Sequence, residues 1–434
     1  MSTSTAASVD GLPRTFRVSQ AFPDSPTLDV SATVREEIGI LAKQIKPGMN
    51  IGVGVGSRGI TNLRAVVETT LTTLQAAGAK PFIIPAMGSH GGATPEAQTE
   101  LLGEYGLSEN TLKVPFHATM EVDPVASDCH GNEVVWARPA LAADGGRVIT
   151  RSKPHTDFAG NLGSGLVKMA VVGLGKRTGA SHFHRSACHL GYEAALRERF
   201  QAIAQNTPLL GGLGLIEDQR HQTAHVEWIP TDGLVAREES LFQTSRSLMP
   251  QIPFDSVDLL IIDRIGKNIS GAGMDPNVIA RSVHGYLTSP PQEQEPLTIR
   301  RIFVRDLTPE THGNAIGIGL ADVTTQRLVE SMNHEVTFVN ALTALSTNGA
   351  KTPIYFDTDR EAILRVLDTL ALPRLNQAKI LRIQDTLNLE QMGASEAYHE
   401  EAMERPELTP ESDPAPLAFT SGQQLLDVAE EFAT

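Results

Sequence analysis

Ionisable side chains follow short apolar runs at several places in the sequence. Arg58, His90 and His155 each come after an apolar segment, among glycine, serine or proline residues. Asp263 and Lys267 have similar positions in the second half of the chain. Ligands of open α/β sheets bind beyond the carboxyl ends of the strands, so these side chains are candidates for a site. Imidazole can transfer protons near neutral pH, although a histidine in a bend can equally cap the next helix.

Residues 149–189 are rich in glycine and in candidate ligands. The ligands are His155, Lys168, Lys176, Arg177, His182, His184, Cys188 and His189. The segment GLGKRTG is reminiscent of a phosphate-binding loop, but Ala170 replaces the first glycine of that pattern and Arg177 replaces its Ser or Thr. What remains is a glycine-rich loop with Lys168, which suits an anionic ligand.

The segment HFHRSACH, residues 182–189, could hold a metal ion. His182 and His184 share a face if the segment is extended, whereas His184 and Cys188 share one if it is helical. Imidazole and thiolate together suit a metal such as zinc or nickel. The alternative is that Cys188 is a small buried residue and that two of the histidines lie on the surface.

Apolar runs that alternate with helix-like segments must position these residues. NIGVGVGSRG (50–59) leads into a segment with helical spacing. KPFIIPAMGSHGG (80–92) leads into a helix with Thr94 as its N-cap and Pro95 at its first position. The same alternation continues through residues 146–157, 256–268, 299–314 and 350–370. It predicts an α/β fold of two domains with mainly parallel sheets.

Three segments are expected along the chain. The N-terminal domain, residues 1–248, carries the candidate catalytic and cofactor motifs, and a C-terminal α/β domain covers residues 249–398. The boundary is placed in the proline-containing stretch near residues 240–256. Residues 399–434 are predicted to form an acidic, proline-rich linker and a terminal amphipathic helix, SGQQLLDVAEEF.

The composition excludes several classes of protein. The net charge of −15, without a compensating basic run, argues against a nucleic-acid partner. The sequence has no apolar run of the roughly 18 residues that a membrane span requires, and its first residues lack the apolar part of a secretory signal. Two cysteines, Cys129 and Cys188, are too few for a disulfide framework, so we expect a cytoplasmic protein.

Five short motifs together resemble the nickel-dependent lactate racemase family, and the resemblance covers residues 45–390. The motifs are GSRG (56–59), GSHGGATPE (88–96), KPHTDFAG (153–160), SGLVK (164–168) and HFH (182–184). The resemblance implies two α/β domains with the active site in the cleft between them. It also implies a nickel-pincer nucleotide, which is a pyridinium bisthiocarboxylate mononucleotide whose sulfur and carbon atoms hold nickel.

The resemblance also implies roles for individual residues. His90 and His155 would be the two acid/base histidines, and Arg58 would bind the carboxylate of the substrate. Lys168 would hold the cofactor. His184, sixteen residues after that lysine, would be the nickel ligand of the protein.

Several positions depart from the pattern of the family. Val55 and Val167 stand where the family has an acidic residue and an arginine, and the step from His155 to Lys168 is three residues longer than in the lactate enzymes. These departures leave open the substrate and whether the cofactor is attached covalently. Lys267, which follows a strand of the second domain, is a further candidate for substrate binding.

These observations favour an isomerase, namely a racemase or epimerase of a small 2-hydroxy acid such as lactate or a sugar acid. A hydride-accepting cofactor would avoid a high-energy carbanion, and two histidines would serve the two enantiomers in turn. Two alternatives stay open, a zinc-type metalloenzyme that uses HFHRSACH and a non-catalytic relative that binds a carboxylate. The sequence does not determine the oligomeric state.

Overall fold

The computed structural model describes residues 11–25, 27–56, 59–156, 160–283, 297–344 and 347–426. The chain forms two compact units. The N-terminal unit is Asp24–Met249, and the C-terminal unit joins Pro250–Thr434 to the segment Met1–Pro23. Strands and helices alternate along most of the chain in both units.

The strands and helices have the following bounds. The strands are β1 (Arg14–Gln20), β2 (Asn50–Val55), β3 (Lys80–Pro85), β4 (Val122–Ser127), β5 (Glu133–Ala137), β6 (Gly145–Arg151), β7 (Leu209–Glu217), β8 (Thr223–Pro230), β9 (Ser256–Ile265), β10 (Thr298–Leu307), β11 (Val323–Thr325), β12 (Ile354–Phe356), β13 (Ile380–Ile383), β14 (Gln391–Ser395), β15 (Leu408–Pro410) and β16 (Ala415–Pro416). The helices are α1 (Val30–Ala42), α2 (Leu63–Ala76), α3 (Pro95–Glu104), α4 (Glu109–Leu112), α5 (Arg138–Leu141), α6 (Leu166–Lys168), α7 (Lys176–Leu190), α8 (Tyr192–Asn206), α9 (Leu234–Ser247), α10 (Pro276–Ile279), α11 (Gln326–Ser331), α12 (His334–Thr343), α13 (Asp359–Asp368) and α14 (His399–Glu404). A π-helical turn, Met169–Gly173, follows α6 directly.

The N-terminal unit is built on a sheet whose described strands have the order β3-β2-β6-β7-β8. The first four are parallel, and β8 pairs with β7 in the antiparallel direction. β4 and β5 form a separate antiparallel pair. Buried apolar residues of α1, α2 and one face of the sheet form a core. Because crossover helices cover parallel strands, β2 and β3 are buried along nearly their whole length.

The C-terminal unit contains a second sheet, with the order β12-β11-β10-β9-β13-β14-β1-β15 and with β16 beside β1. The strands from β12 to β13 are parallel, whereas β14, β1 and β15 pair in the antiparallel direction. The prediction of an α/β protein with mainly parallel sheets is therefore confirmed. No helix within the described ranges is both long and apolar enough to cross a membrane.

The structure differs from the expected segments at both ends of the chain. β1, expected in the N-terminal domain, lies between β14 and β15 in the C-terminal unit. Residues 399–416, expected as a linker, contain α14, β15 and β16, and both strands pair with β1. An exposed strand edge can pair with any chain segment that reaches it, and the local pattern of that segment does not show this. Residues 421–426 of the expected terminal helix are not helical, and its remaining residues lie outside the described ones.

Arg147 is a buried cation on β6. Its side chain is fully buried, and its three guanidinium nitrogens have no hydrogen-bond partner among the described residues. Burial lowers the pKa of this guanidinium to about 9. An unpaired buried charge is costly, so we expect Arg147→Met to raise the free energy of unfolding by about 1–4 kcal/mol, measured by denaturant titration.

Arg138→Met is the matched control for this substitution. Arg138 is exposed and pairs with Glu121 and Asp123 on the surface. Exposed ion pairs contribute little to stability, so this control is expected to leave the unfolding midpoint nearly unchanged. A larger loss of stability in Arg147→Met than in the control would contradict the prediction, because the buried guanidinium would then be stabilised by a contact that outweighs its desolvation.

Candidate functional site

Three loops of the N-terminal unit lie side by side at the carboxyl edge of its sheet. They follow β3, β2 and β6, which are adjacent parallel strands. Parallel neighbours end at the same edge, so the loops that begin after Pro85, Val55 and Arg151 start side by side there. These are the segments in which the sequence places His90, Arg58 and the KPHTDFAG motif.

The helix α6 and the π-helical turn after it pack across these loops. The backbone N–H of Gly88 donates to the carbonyl of Gly173 at 3.1 Å. A Cβ atom on Gly56 would lie 2.7 Å from the end of the Met169 side chain, so glycine allows this close approach. The turn begins immediately after Lys168. Such turns are rare and occur frequently at functional sites.

His155, Lys168, Tyr192 and His184 form a group that we call the His155 cluster. The amine of Lys168 contacts Nε2 of His155 directly. The ring centroid of Tyr192, at the start of α8, lies 5.9 Å from the centroid of His155 and 5.9 Å from that of His184. The Tyr192 hydroxyl is 3.3 Å from Nδ1 of His184. His155 and Tyr192 are buried, whereas Lys168 and His184 are partly exposed.

His90 lies on the bend after β3, which is held by Gln98 of α3. The buried amide of Gln98 donates to the carbonyls of Gly88 and His90, at 3.2 and 3.0 Å. The predicted start of α3 is confirmed, because the Thr94 side chain accepts a backbone N–H of the first turn and Pro95 follows it. The backbone of the bend is therefore fixed, while the imidazole of His90 is half-buried.

Glu238, on α9, is an almost completely buried carboxylate next to the His155 cluster. Its oxygens accept the backbone N–H groups of Leu166 and Val167, the second at 2.9 Å, and the hydroxyl of Ser152 at 3.4 Å. Burial raises the pKa of Glu238 to about 7, and these hydrogen bonds oppose the rise. Burial favours the neutral form of this group, whereas the two backbone N–H donors favour the carboxylate.

Lys176, from the GLGKRTG segment, makes a structural contact. Its amine is fully buried and donates to the backbone carbonyl of Pro85, the last residue of β3. Burial lowers the pKa of this amine to about 8. The contact holds the start of α7 against the bend that carries His90. This lysine therefore has a structural role at the end of β3.

The HFHRSACH segment is helical, because it lies within α7. His182 and His184 therefore point in nearly opposite directions, and Nδ1 of His182 donates to the carbonyl of Glu133 at 3.0 Å. Cys188 is exposed. Within the described ranges, no three His, Cys, Asp or Glu side chains are placed to hold a metal ion by themselves. A zinc site, which uses three or four protein ligands, thus has no ligand set in this part of the chain.

Lys267 and Asp263, which were also selected from the sequence, lie outside this cluster. Arg58 lies outside the described residues. Lys267 belongs to the C-terminal unit, where its amine donates to a backbone carbonyl of its own loop at 2.7 Å. Asp263 is buried in the same unit and pairs with Arg305 at 3.0 Å and with Arg382 at 2.8 Å. Asp263 is therefore part of an ion-pair network.

Sequence analysis did not select Tyr192, Glu238 or Gln98. The sequence does contain an indication for Glu238, because its spacing places it on the same helix face as Leu234 and Leu241, which are buried in α9. A carboxylate on the apolar face of a helix indicates a buried acid that needs hydrogen-bond donors. Tyr192 and Gln98 have no comparable signal, because only the fold brings them to these loops.

Comparisons with solved structures include two similar chains. The lactate racemase apoprotein from Thermoanaerobacterium thermosaccharolyticum has a TM-score of 0.48 and 13% identity, over 86% of this chain and 99% of that chain. A protein from Thermotoga maritima has the same TM-score and identity, over 85% of this chain and 99% of that chain. No family model and no curated protein sequence matches this chain. At this level of similarity, the likenesses do not identify functional residues.

Proposed function

We propose that this chain is a racemase or epimerase of small 2-hydroxy acids that works with a nickel-pincer nucleotide. The observation that carries the proposal is the His155 cluster, in which two imidazoles and a lysine amine meet at the carboxyl edge of one sheet. These groups come from the motifs KPHTDFAG, SGLVK and HFH, whose order resembles the lactate racemase family. The loop after β6 and the helices α6 and α7 supply one group each.

The donor chemistry of the His155 cluster fits this cofactor. Nδ1 of His184 faces the Tyr192 hydroxyl, so with the proton on Nδ1 the Nε2 atom keeps a lone pair for nickel. Imidazole is a suitable ligand for nickel, and the Lys168 amine can hold an anionic group of the nucleotide. When bound, the cofactor supplies a hydride acceptor for the hydrogen on the α-carbon of the substrate.

The residues of the chain supply proton transfer and orientation. A 2-hydroxy acid that loses a hydride from its α-carbon and a proton from its hydroxyl becomes the 2-oxo acid. Return of the hydride to the opposite face of the carbonyl carbon, and of the proton to the carbonyl oxygen, gives the other enantiomer with no net change in atoms or electrons. We assign the hydroxyl proton to His155 for one enantiomer and to His90 for the other. Arg58 is proposed to bind the substrate carboxylate through its planar guanidinium.

Purification from cells that make the nickel cofactor tests this proposal, with purification from cells that lack its synthesis as the control. We expect bound nickel, a visible absorption band of the organic chromophore, and interconversion of the enantiomers of lactate or a sugar acid. All three are expected to be missing in the control. Zinc without an organic chromophore would contradict the proposal, and so would a nickel-loaded chain that racemises no member of a panel of 2-hydroxy acids.

Replacing Lys168 by alanine is expected to lower retention of the cofactor by about 10–100-fold, because the variant loses the amine of the His155 cluster. The measurement is the nickel content after dialysis, combined with the mass of the intact protein, which reports covalent attachment. Lys43→Ala is the control, because Lys43 is exposed at the end of α1. Equal nickel retention in the two variants would remove Lys168 from the cofactor site.

A further inference from the structure

The side chain of Glu238, from α9, lies at the N-terminus of α6, the short helix that ends in Lys168. The first N–H groups of a helix have no partner within the helix, and here the Glu238 carboxylate accepts those of Leu166 and Val167. A Cβ atom on Gly165 would overlap Oε1 of Glu238. Glycine at this position is therefore required for the carboxylate to reach the two N–H groups.

The groups that Glu238 holds belong to two segments of the site. Leu166 and Val167 directly precede Lys168, and Ser152, whose hydroxyl donates to the same carboxylate at 3.4 Å, lies three residues before His155. The contact between the Lys168 amine and His155 joins the other ends of these two segments. The buried carboxylate therefore ties together the two segments from which the amine and the imidazole project, beside a backbone pair in which Lys153 and Ser164 each donate to the carbonyl of the other at 2.9 Å.

Packing alone does not account for a carboxylate at this position. Within the described ranges its hydrogen-bond donors are two backbone N–H groups and a hydroxyl, and none of them is a cation. An apolar side chain on the buried face of α9 would avoid the desolvation that a carboxylate undergoes. Only a carboxylate offers two equivalent oxygens to two adjacent N–H groups, because an amide would turn its own NH2 group toward one of them.

We propose that Glu238 is a positioning residue that sets the Lys168 amine against His155. It acts through the backbone of α6 and touches neither a substrate nor a cofactor. The role of Lys168 in cofactor binding rests on the proposed function. The effect of Glu238 on the position of the Lys168 amine is a property of the chain without cofactor. The inference can therefore be tested on protein that has never bound nickel.

The test measures the rate at which an amine-acylating reagent modifies Lys168 in the cofactor-free chain, with the site identified by peptide mass spectrometry. Glu238→Gln is expected to speed this modification by about 2–10-fold, because the amine loses its fixed contact with the imidazole. Glu239→Gln is the matched control, because Glu239 is the next residue of α9 and pairs with Arg197 instead. It is expected to leave the rate unchanged.

A double-mutant cycle with His155→Ala distinguishes positioning from general loosening of the fold. If Glu238 acts by holding Lys168 against His155, then Glu238→Gln has no further effect on the rate once His155 is alanine. Additive effects in the double variant would overturn the inference, and so would a Glu238→Gln rate equal to that of the Glu239→Gln control. If Glu238→Gln does not fold, Glu238→Asp is judged by the same two criteria, because it keeps the charge but withdraws the oxygens.

The outcome is independent of the proposed function. A chain that shows the coupled acylation rates but binds no nickel nucleotide would refute the proposed function and keep the role of Glu238. A chain that binds the cofactor and racemises its substrate, but shows no coupling, would refute only the role of Glu238.

Discussion

Replacing His155 by alanine is expected to slow the interconversion of enantiomers by about 10²–10⁴-fold in both directions. In the proposed reaction one histidine takes the hydroxyl proton of the starting enantiomer and the other returns a proton to the oxygen of the product enantiomer, so each direction needs both bases. His155 is buried and contacts the Lys168 amine, next to the proposed place of the cofactor. His90→Ala is expected to have an effect of the same size. The measurement is the initial rate from each pure enantiomer, followed by chiral chromatography.

His130→Ala is the control for these two substitutions. His130 is exposed in a turn, where its backbone N–H donates to the Asp128 side chain, and we assign it no role. The control is expected to keep the unmodified rates. All three variants should retain nickel and their melting temperature, because neither acid/base histidine is assigned to the metal. Near-normal rates in both directions for His155→Ala or His90→Ala would show that the two-base assignment is incorrect.

Loss of bound nickel is the expected result of replacing His184 by alanine. His184 is proposed as the nickel ligand of the protein, and removal of a direct ligand should weaken nickel binding by more than the roughly 10–100-fold seen when only a supporting group is lost. Its Nδ1 atom faces the Tyr192 hydroxyl, which would fix the ring and leave Nε2 for the metal. The measurement is nickel content by mass spectrometry of the purified protein, together with racemisation.

His182→Ala is the matched control, because the two histidines have the same chemistry and lie two residues apart in α7. His182 donates to the carbonyl of Glu133, whereas the His184 ring lies beside Tyr192. We expect His182→Ala to keep most of its nickel and activity. The reverse pattern would transfer the ligand role to His182 and shift the alignment with the lactate racemase motifs.

The sequence by itself determined the parts of this protein that depend on local pattern. Alternating apolar runs and helical segments predicted the α/β class, and parallel strands that end at one edge follow from that class. The N-cap Thr94 and the following Pro95 predicted the start of α3 through local hydrogen bonding and a fixed backbone angle. His90 and His155 were selected because each follows a predicted strand. In the structure they follow β3 and β6, which belong to the same parallel sheet.

Only the tertiary structure decided which distant groups meet. Tyr192 of α8 lies beside His155, and Glu238 of α9 accepts the backbone N–H of Val167. In each pair the two residues are dozens of positions apart in the chain. The helical state of the HFHRSACH segment also decided the direction of its histidines, because the sequence allowed both an extended and a helical arrangement. The place of β1 beside β14 depends on hydrogen bonds across nearly the whole chain. Local propensity is the same whichever strand becomes the neighbour, so long-range pairing and side-chain burial fix these choices.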